Sequence, residues 1–276
     1  MGKVLSAAEI ESYRTEGYHS PLRVLTAGEA AGYRAKFEAW ERSQGGAPPR
    51  QYLQKCHLLF TWANELVRNP KVLDAVEDVL GPNLLVWSSQ FFNKEPHSED
   101  YVSWHQDATY WGLSEHTEMS AWIALAPSTP ESGCMRVVPG THREQVTHKD
   151  TFAGGNMLSR GQIVQLDVDD SKVVDLVLQP GEMSLHHVLI VHGSGPNTSD
   201  ERRIGFVTRY IPTHLKQVEG PRDSALLVRG EDAYGHFELE PDPVRDFDPE
   251  MVALHKAVSE RQAKILYRGT DKSPYA

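Results

Sequence analysis

Between residues 84 and 211 the chain breaks into six short runs rich in valine, isoleucine and aromatics: 84–92, 119–125, 135–138, 173–178, 183–191 and 204–211. Clusters of Pro, Gly, Asn and Asp close each run. None is long enough for a core helix, and this texture belongs to the strands of a sandwich or barrel.

The preceding segment reads differently. Ser6 and Glu9 form a capping box ahead of Ile10 and Tyr13, and Thr26 with Glu29 repeats it before Tyr33, Phe37 and Trp40. The second helix should stop near 43–46, where Gly45-Gly46 and then Pro48-Pro49 break the pattern. A third amphipathic stretch covers 57–67. A fourth starts at Pro70, carries Val72, Val76 and Leu80, and ends at Gly81-Pro82. A last helix is expected over 249–267, with Asp248 as N-cap and Pro249 in its first turn. These elements describe one domain of 276 residues: a helical layer over 1–81, a β core over 82–212, and a C-terminal loop and helix over 213–276.

The formal charge of −10 argues against non-specific nucleic-acid binding and against anionic membrane surfaces, which reward a basic face. The two cysteines, Cys56 and Cys134, lie far apart and suggest no disulfide framework. No apolar signal core opens the chain and no run reaches membrane-spanning length, so the expectation is a cytoplasmic protein. Its oligomeric state is not legible.

Two segments carry chemistry. His105-Gln106-Asp107 places an imidazole and a carboxylate two residues apart, and on a strand such residues share a face and can reach one ion. Alone this is weak, because the chain has 13 histidines. The second segment, 181–197, runs an apolar strand into His192 and then into Gly193-Ser194-Gly195-Pro196-Asn197. Two histidines and one carboxylate make a facial triad that leaves adjacent coordination positions open, the arrangement suited to non-haem Fe(II). His186 and His187 compete for the third place; His187 reads as a core histidine, and His192 is favoured.

A keto acid on such a metal needs a cation for its far carboxylate, and arginine offers a planar fork. Arg203, eleven positions after His192, shares a strand face with Gly205 and Val207, where a missing side chain leaves room. Arg202 is the alternative. Substrate contacts are sought among Gln90, Trp122 and Arg136, on strands expected to face the barrel, and among Tyr110 and Trp111 just past the metal strand. The stretches 154–156 and 217–232 read as loops able to close over the site.

Together, His105-Gln106-Asp107, Val138-Pro139-Gly140-Thr141-His142 with Gly133 ahead of it, and His192-Gly193-Ser194-Gly195-Pro196-Asn197-Thr198-Ser199 with Arg203 resemble the phytanoyl-CoA dioxygenase family of Fe(II)/2-oxoglutarate-dependent oxygenases. The resemblance covers residues 84–212 and, more loosely, the helical N-terminus. It implies a mainly β fold, a double-stranded β-helix (jelly-roll, cupin-like) core with flanking helices. It also implies Fe(II), with 2-oxoglutarate and O2 as co-substrates. His105, Asp107 and His192 map onto the catalytic iron ligands, Arg203 onto the 2-oxoglutarate anchor, and Ser194 and Asn93 onto contacts to the same co-substrate. Pro139-Gly140 and Asn197 read as turn formers, and His142 as structural.

The implied reaction is hydroxylation of an unactivated C–H bond of a small metabolite or natural-product intermediate, with succinate and CO2 formed. Desaturation, epoxidation and ring closure use the same cofactors. Related halogenases carry Ala or Gly where Asp107 stands, so halogenation is disfavoured. A non-catalytic metal-binding cupin-like protein and a zinc hydrolase are the rivals from other classes.

Overall fold

A computed structural model describes residues 2–46 and 48–272; the outermost positions of the expected 1–276 domain lie outside the described residues. The helical layer consists of α1 (Ala7–Glu16), α2 (Ala27–Ser43), α3 (Cys56–Leu59), α4 (Thr61–Val67) and α5 (Pro70–Leu80), with β1 (Tyr18–Arg23) between the first two. Both capping boxes form: Ser6 and Thr26 accept from the backbone N–H of Glu9 and Glu29, whose carboxylates reach back to the cap N–H groups. The stretch 57–67 is not one helix. The backbone is extended at Phe60, which divides it into α3 and α4.

The β region follows as β2 (Leu84–Lys94), β3 (Val102–His105), β4 (Met119–Ala124), β5 (Met135–Val138), β6 (His148–Lys149), β7 (Ile163–Val164), β8 (Val174–Leu176), β9 (Glu182–His187), β10 (Val191–Ser194), β11 (Arg203–Pro212), β12 (Ser224–Arg229) and β13 (Glu238–Leu239). Helix α6 (Pro249–Leu266) is the last of these elements among the described residues. A seven-stranded sheet, ordered β1-β9-β4-β11-β2-β12-β13, faces a four-stranded sheet ordered β3-β10-β5-β8. Apart from the β12–β13 pair, their ladders are antiparallel. From β2 to β5 and again from β8 to β11 successive strands alternate between the two sheets, while β5 and β8 pair within the small sheet and β6 and β7 form a separate two-stranded ladder between them. That is the double-stranded β-helix.

Two departures from the sequence reading matter for the site. The run 183–191 is not one strand: it turns over at Val188-Leu189-Ile190 and crosses from β9 in the large sheet to β10 in the small one. Stretch 217–232 is not simply a loop, because β12 pairs with β2 there.

Side-chain alternation sorts each strand into two cores. On β11, Ile204, Phe206 and Tyr210 face the helices, while Val207 faces the barrel interior with Trp122, Met135 and Val137. Phe91 on β2 faces the helices too, and Phe37 of α2 stacks on it with ring centroids 4.3 Å apart. Because the helical layer backs the sheet that carries Arg203, loosening it should cost stability. Phe37 is fully buried, so Phe37→Ala is expected to destabilise the fold by about 3–5 kcal/mol, read as a lowered midpoint in equilibrium urea unfolding.

Candidate active site

The register of the small sheet builds the site. His192 of β10 pairs directly with His105 of β3, and on its other side with Val137 of β5. The two imidazoles lie side by side with centroids 4.1 Å apart. Asp107 follows His105 after one extended residue and opens a short 3-10 turn, Asp107–Tyr110. Its backbone N–H donates to Val188 O at 3.0 Å, in the turn between β9 and β10. Gln106, buried between the two ligand candidates, donates to Leu189 O at 2.6 Å and Glu144 O at 2.8 Å and accepts from Val146 N at 2.8 Å. One side chain thus pins the His-x-Asp segment to the turn that precedes His192.

The protonation pattern suits a metal. His105 Nδ1 lies 2.9 Å from Ser103 O and 3.0 Å from His192 O, and His192 Nδ1 lies 3.0 Å from Ile190 O. Carbonyls only accept, so each Nδ1 carries the proton and each Nε2 presents a bare lone pair. Burial, followed by the neighbouring His105, pushes the His192 pKa well below the ordinary imidazole range and keeps it neutral. Burial works against the charge of Asp107, but the polar groups beside it, His105 first, then His192 and the Arg209 guanidinium, outweigh it and hold the carboxyl far below its usual range.

Candidate donor atoms of His105, Asp107 and His192 lie within 4.8 Å of one another, the one such cluster among the described residues. His105 Nε2 and Asp107 Oδ1, both acceptors, face each other at 3.2 Å. Two lone pairs in that position repel unless a cation lies between them, so the donor set fits a divalent metal.

The other histidines have different duties. His186 lines the pocket with its ring 5.0 Å from that of His192, and burial lowers its pKa to about 4. His187 points out of the site; its Nδ1 accepts from Leu189 N at 3.1 Å and its ring rests against His142. His142 Nε2 donates to Arg14 O. The Val-Pro-Gly-Thr-His turn works through Thr141, whose hydroxyl donates to Val138 O at 2.6 Å and accepts from Val191 N at 2.9 Å, fixing the start of β10.

Beyond the histidines the pocket extends between the sheets, enclosing about 490 Å³ with its mouth included. Arg203, buried on β11, lines it together with Ser194 and Trp122. Its guanidinium sits 5.5 Å from the Trp122 ring and donates to Gly133 O, while Nε has no partner. Burial pushes the Arg203 pKa down to about 10, and it stays charged at neutral pH. A Cβ on Gly205 would come within 1.9 Å of the Trp122 ring, so only glycine admits that indole. Arg202 points the other way, forking onto Glu41 of α2 at 2.8 and 3.0 Å and pairing with Glu95.

Several expectations need correction. Asn93 lies in phase with Phe91, on the helix-facing side of β2, and its Oδ1 is buried without a partner. The barrel side belongs to its neighbour Lys94, fully buried, whose Nζ donates to Ser194 Oγ at 2.7 Å and to Gly195 O. Sequence reasoning missed Lys94; β2 alternation with Phe92, which lines the pocket, would have found it. Asn197 holds this lysine's strand end, donating to Glu95 O at 3.0 Å and Glu201 O at 2.8 Å.

Arg136 faces solvent, because Met135 and Val137 take the interior; it pairs with Asp175 across the strand ladder. Tyr110 donates to Asp150 at 2.6 Å under the guanidinium of Arg160, outside the pocket wall. Trp111 and Gln90 both lie against Arg209, a pocket residue to which the sequence reading gave no role. In the loop around 154–156, Asn156 is buried and donates to Ser103 Oγ at 2.9 Å, so this segment is tied to the metal strand.

Since His186 and His192 are both buried beside Asp107, divalent-metal binding separates their roles. His192→Ala should abolish stoichiometric Ni(II) or Fe(II) binding measured by calorimetry, and His186→Ala should retain it, each with an unchanged far-ultraviolet spectrum.

Comparison with known proteins places this geometry. The family model described as Phytanoyl-CoA dioxygenase (PhyH) matches residues 4–205. A probable alpha-ketoglutarate-dependent hypophosphite dioxygenase of Stutzerimonas stutzeri is 33% identical over 152 residues, 53% of this chain and 52% of that protein. The peroxisomal phytanoyl-CoA dioxygenase of Rattus norvegicus is 27% identical over 242 residues, 78% of this chain and 71% of that one. The chain thus spans about half the length of the first of these curated relatives. Among solved structures, the non-heme monooxygenase ThoJ in its apo form superposes with a TM-score of 0.83 at 35% identity, covering 93% of this chain and 96% of that one. No helix among the described residues is long and apolar enough to cross a membrane. The chain belongs to the phytanoyl-CoA dioxygenase family.

Proposed function

We propose that this protein is an Fe(II)/2-oxoglutarate-dependent dioxygenase that hydroxylates an unactivated C–H bond of a small metabolite or natural-product intermediate, forming succinate and CO2. The observation that carries the reading is a single pocket with two ends. One end gathers two bare imidazole nitrogens and a carboxylate; the other buries an arginine whose Nε lacks a partner. A zinc hydrolase needs the first end only. The Stutzerimonas relative, named for an alpha-ketoglutarate-dependent dioxygenase, supports the co-substrate.

His105, Asp107 and His192 would hold the iron, and Arg203 and Ser194 the far carboxylate of 2-oxoglutarate. Bound there, iron and keto acid supply the means of activating O2, with the keto acid leaving as succinate and CO2. The chain's residues do the rest. Arg203 offers its fork to the carboxylate, and Trp122, made possible by Gly205, walls the co-substrate side. Lys94 donates to Ser194 Oγ, which frees the Ser194 proton to point into the pocket. Phe92, Met135, Leu158 and Val207 make the remaining wall apolar and keep bulk water away. Asp107 would be the third protein ligand of the iron, and its carboxylate would leave no vacancy there for a halide.

Succinate formation with Fe(II), ascorbate and 2-oxoglutarate tests the proposal; a loaded protein that makes no succinate and shows no 2-oxoglutarate-dependent visible absorbance overturns it. In Arg203→Ala, 2-oxoglutarate affinity should fall by roughly 30-fold or more, as for losing one side of a buried charge pair, with metal binding kept. Lys94 adds a proton signature. Burial, then the positive charge of Arg203, pushes its pKa down to about 6, so at pH 7.5 it is mostly neutral. A carboxylate arriving at Arg203 removes the second cause and favours the charged form, so binding should draw protons from solution, up to about one per ligand. Calorimetry in buffers of differing ionisation enthalpy should show this uptake in the native protein and its loss in Lys94→Met.

A further inference from the structure

The pocket holds a second guanidinium, its side chain 11% exposed, that the scheme above leaves unused. Arg209 lines the same cavity as Arg203, from the same face of β11. Six residues along a strand at about 3.3 Å each set their Cα atoms roughly 20 Å apart. The triad marks where Arg209 sits: its Nε lies 4.0 Å from Asp107 Oδ2, at the outer limit of an ion pair. The chemistry proposed for 2-oxoglutarate uses one carboxylate on the metal and the other on Arg203. Neither is left for Arg209.

We propose, building on that oxygenase reading, that Arg209 is the receptor for an anionic group on the substrate, a carboxylate, sulfonate, phosphate or phosphonate.

Three observations support it. The guanidinium is under-satisfied: Nε has no hydrogen-bond partner, and Nη1 reaches Gln90 Oε1 only at 3.5 Å. A guanidinium carries five donors, and leaving the buried Nε unmatched is costly unless an acceptor arrives. Its charged neighbour among the described residues, Asp107, becomes a worse partner once its charge is committed to a divalent ion. The group is also held in place. Its carbon lies 5.0 Å from the Trp111 ring, and Trp111 packs on Trp87 with centroids 4.9 Å apart. A fork resting on an aromatic pair loses little entropy on meeting a planar or tetrahedral oxyanion. Finally, the setting is selective. With a net charge of −10 the surface does not gather anions in general, so an anionic substrate would be recognised at this buried point and held beside the metal.

The test uses the protein loaded with Fe(II) and saturating 2-oxoglutarate under argon, so that Arg203 is occupied. The visible absorbance of that complex is recorded first; its absence defeats the oxygenase reading, whereas the titrations after it address Arg209 alone. Propanesulfonate, a poor metal ligand, and its neutral counterpart propanesulfonamide are then titrated by tryptophan fluorescence and calorimetry. The native protein should bind the sulfonate at least about ten-fold more tightly than the sulfonamide. Arg209→Gln should lose that preference and keep its 2-oxoglutarate affinity. Arg203→Ala, saturated with more 2-oxoglutarate, should keep the preference.

Equal binding of the two probes by the native protein overturns the proposal, as does a preference that survives Arg209→Gln. If Arg209→Gln instead lowers Fe(II) affinity and leaves the preference intact, Arg209 only positions Asp107, and the proposal also fails. Should Arg209→Gln not fold, Arg209→Lys keeps the charge without the fork. Its expected result is a sulfonate preference reduced several-fold, and an unreduced one counts against the assignment.

Discussion

One strand pairing governs this molecule: His192 opposite His105 in the small sheet. It sets two imidazoles in contact from residues 87 positions apart, each donating its Nδ1 proton to a main-chain carbonyl. The His105 proton is shared with the carbonyl of His192 itself, so the ladder that aligns the strands also selects the tautomer that faces the ion. A one-residue slip of β10 would turn His192 to the opposite face and bring Val191 or Gly193 inward. Much of the surrounding detail can be understood as protection of that register. Thr141 clamps the first residue of β10, Gln106 ties the metal segment to the preceding turn, and Gly193 passes where a Cβ would come within 2.9 Å of Val102 O.

What could be read from the sequence depends on how local each signal is. The capping boxes at Ser6 and Thr26, and Asp248-Pro249 ahead of α6, are complete within four residues, and the structure forms helices there. His-x-Asp and the Gly-Ser-Gly-Pro-Asn turn are equally local, which is why the triad could be nominated in advance. The stretch 183–191 was harder, because Val188-Leu189-Ile190 is as apolar as a strand. It turns all the same, since all three residues are buried where the chain passes between sheets. Burial at a crossover leaves no polar signature.

The misplaced residues share a different cause. The resemblance places Asn93 at the co-substrate and the strand reading places Arg136 toward the barrel, neither with a phase for its strand. Beyond the irregularity opposite Arg209 and Tyr210, β2 alternates regularly, so its interior there belongs to Phe92 and Lys94, and that of β5 to Met135 and Val137. For β2 the phase is set by Phe91 meeting Phe37 across the helical layer, a contact between residues 54 apart. No local pattern contains it. Arg202 and Arg203 illustrate the point from the other side: adjacent and chemically alike, one forks onto Glu41 of α2 and the other enters the barrel.

The electrostatics of the barrel follow from the same alternation. Lys94, Arg203 and Arg209 are all turned inward, yet few buried carboxylates accompany them; Asp107 is one, and Arg209 reaches it only at 4.0 Å. Lys94 and Arg203 oppose one another across the β2–β11 ladder, and their mutual repulsion contributes to the lowered pKa of the lysine. Lys94 relieves part of this by giving up its proton near neutral pH, and the positive charge left on Arg203 and Arg209 is destabilising for the protein alone. It becomes favourable when oxyanions bind inside it, while the ferrous ion proposed here would take up the charge of Asp107. On this account the fold holds its co-substrate side in a poised, unsatisfied state, and part of the binding energy of a dicarboxylic acid is the relief of that repulsion. The cost is carried by the two large apolar cores, and above all by the aromatic layer of Phe37, Phe91 and Phe206 that backs the charged strands.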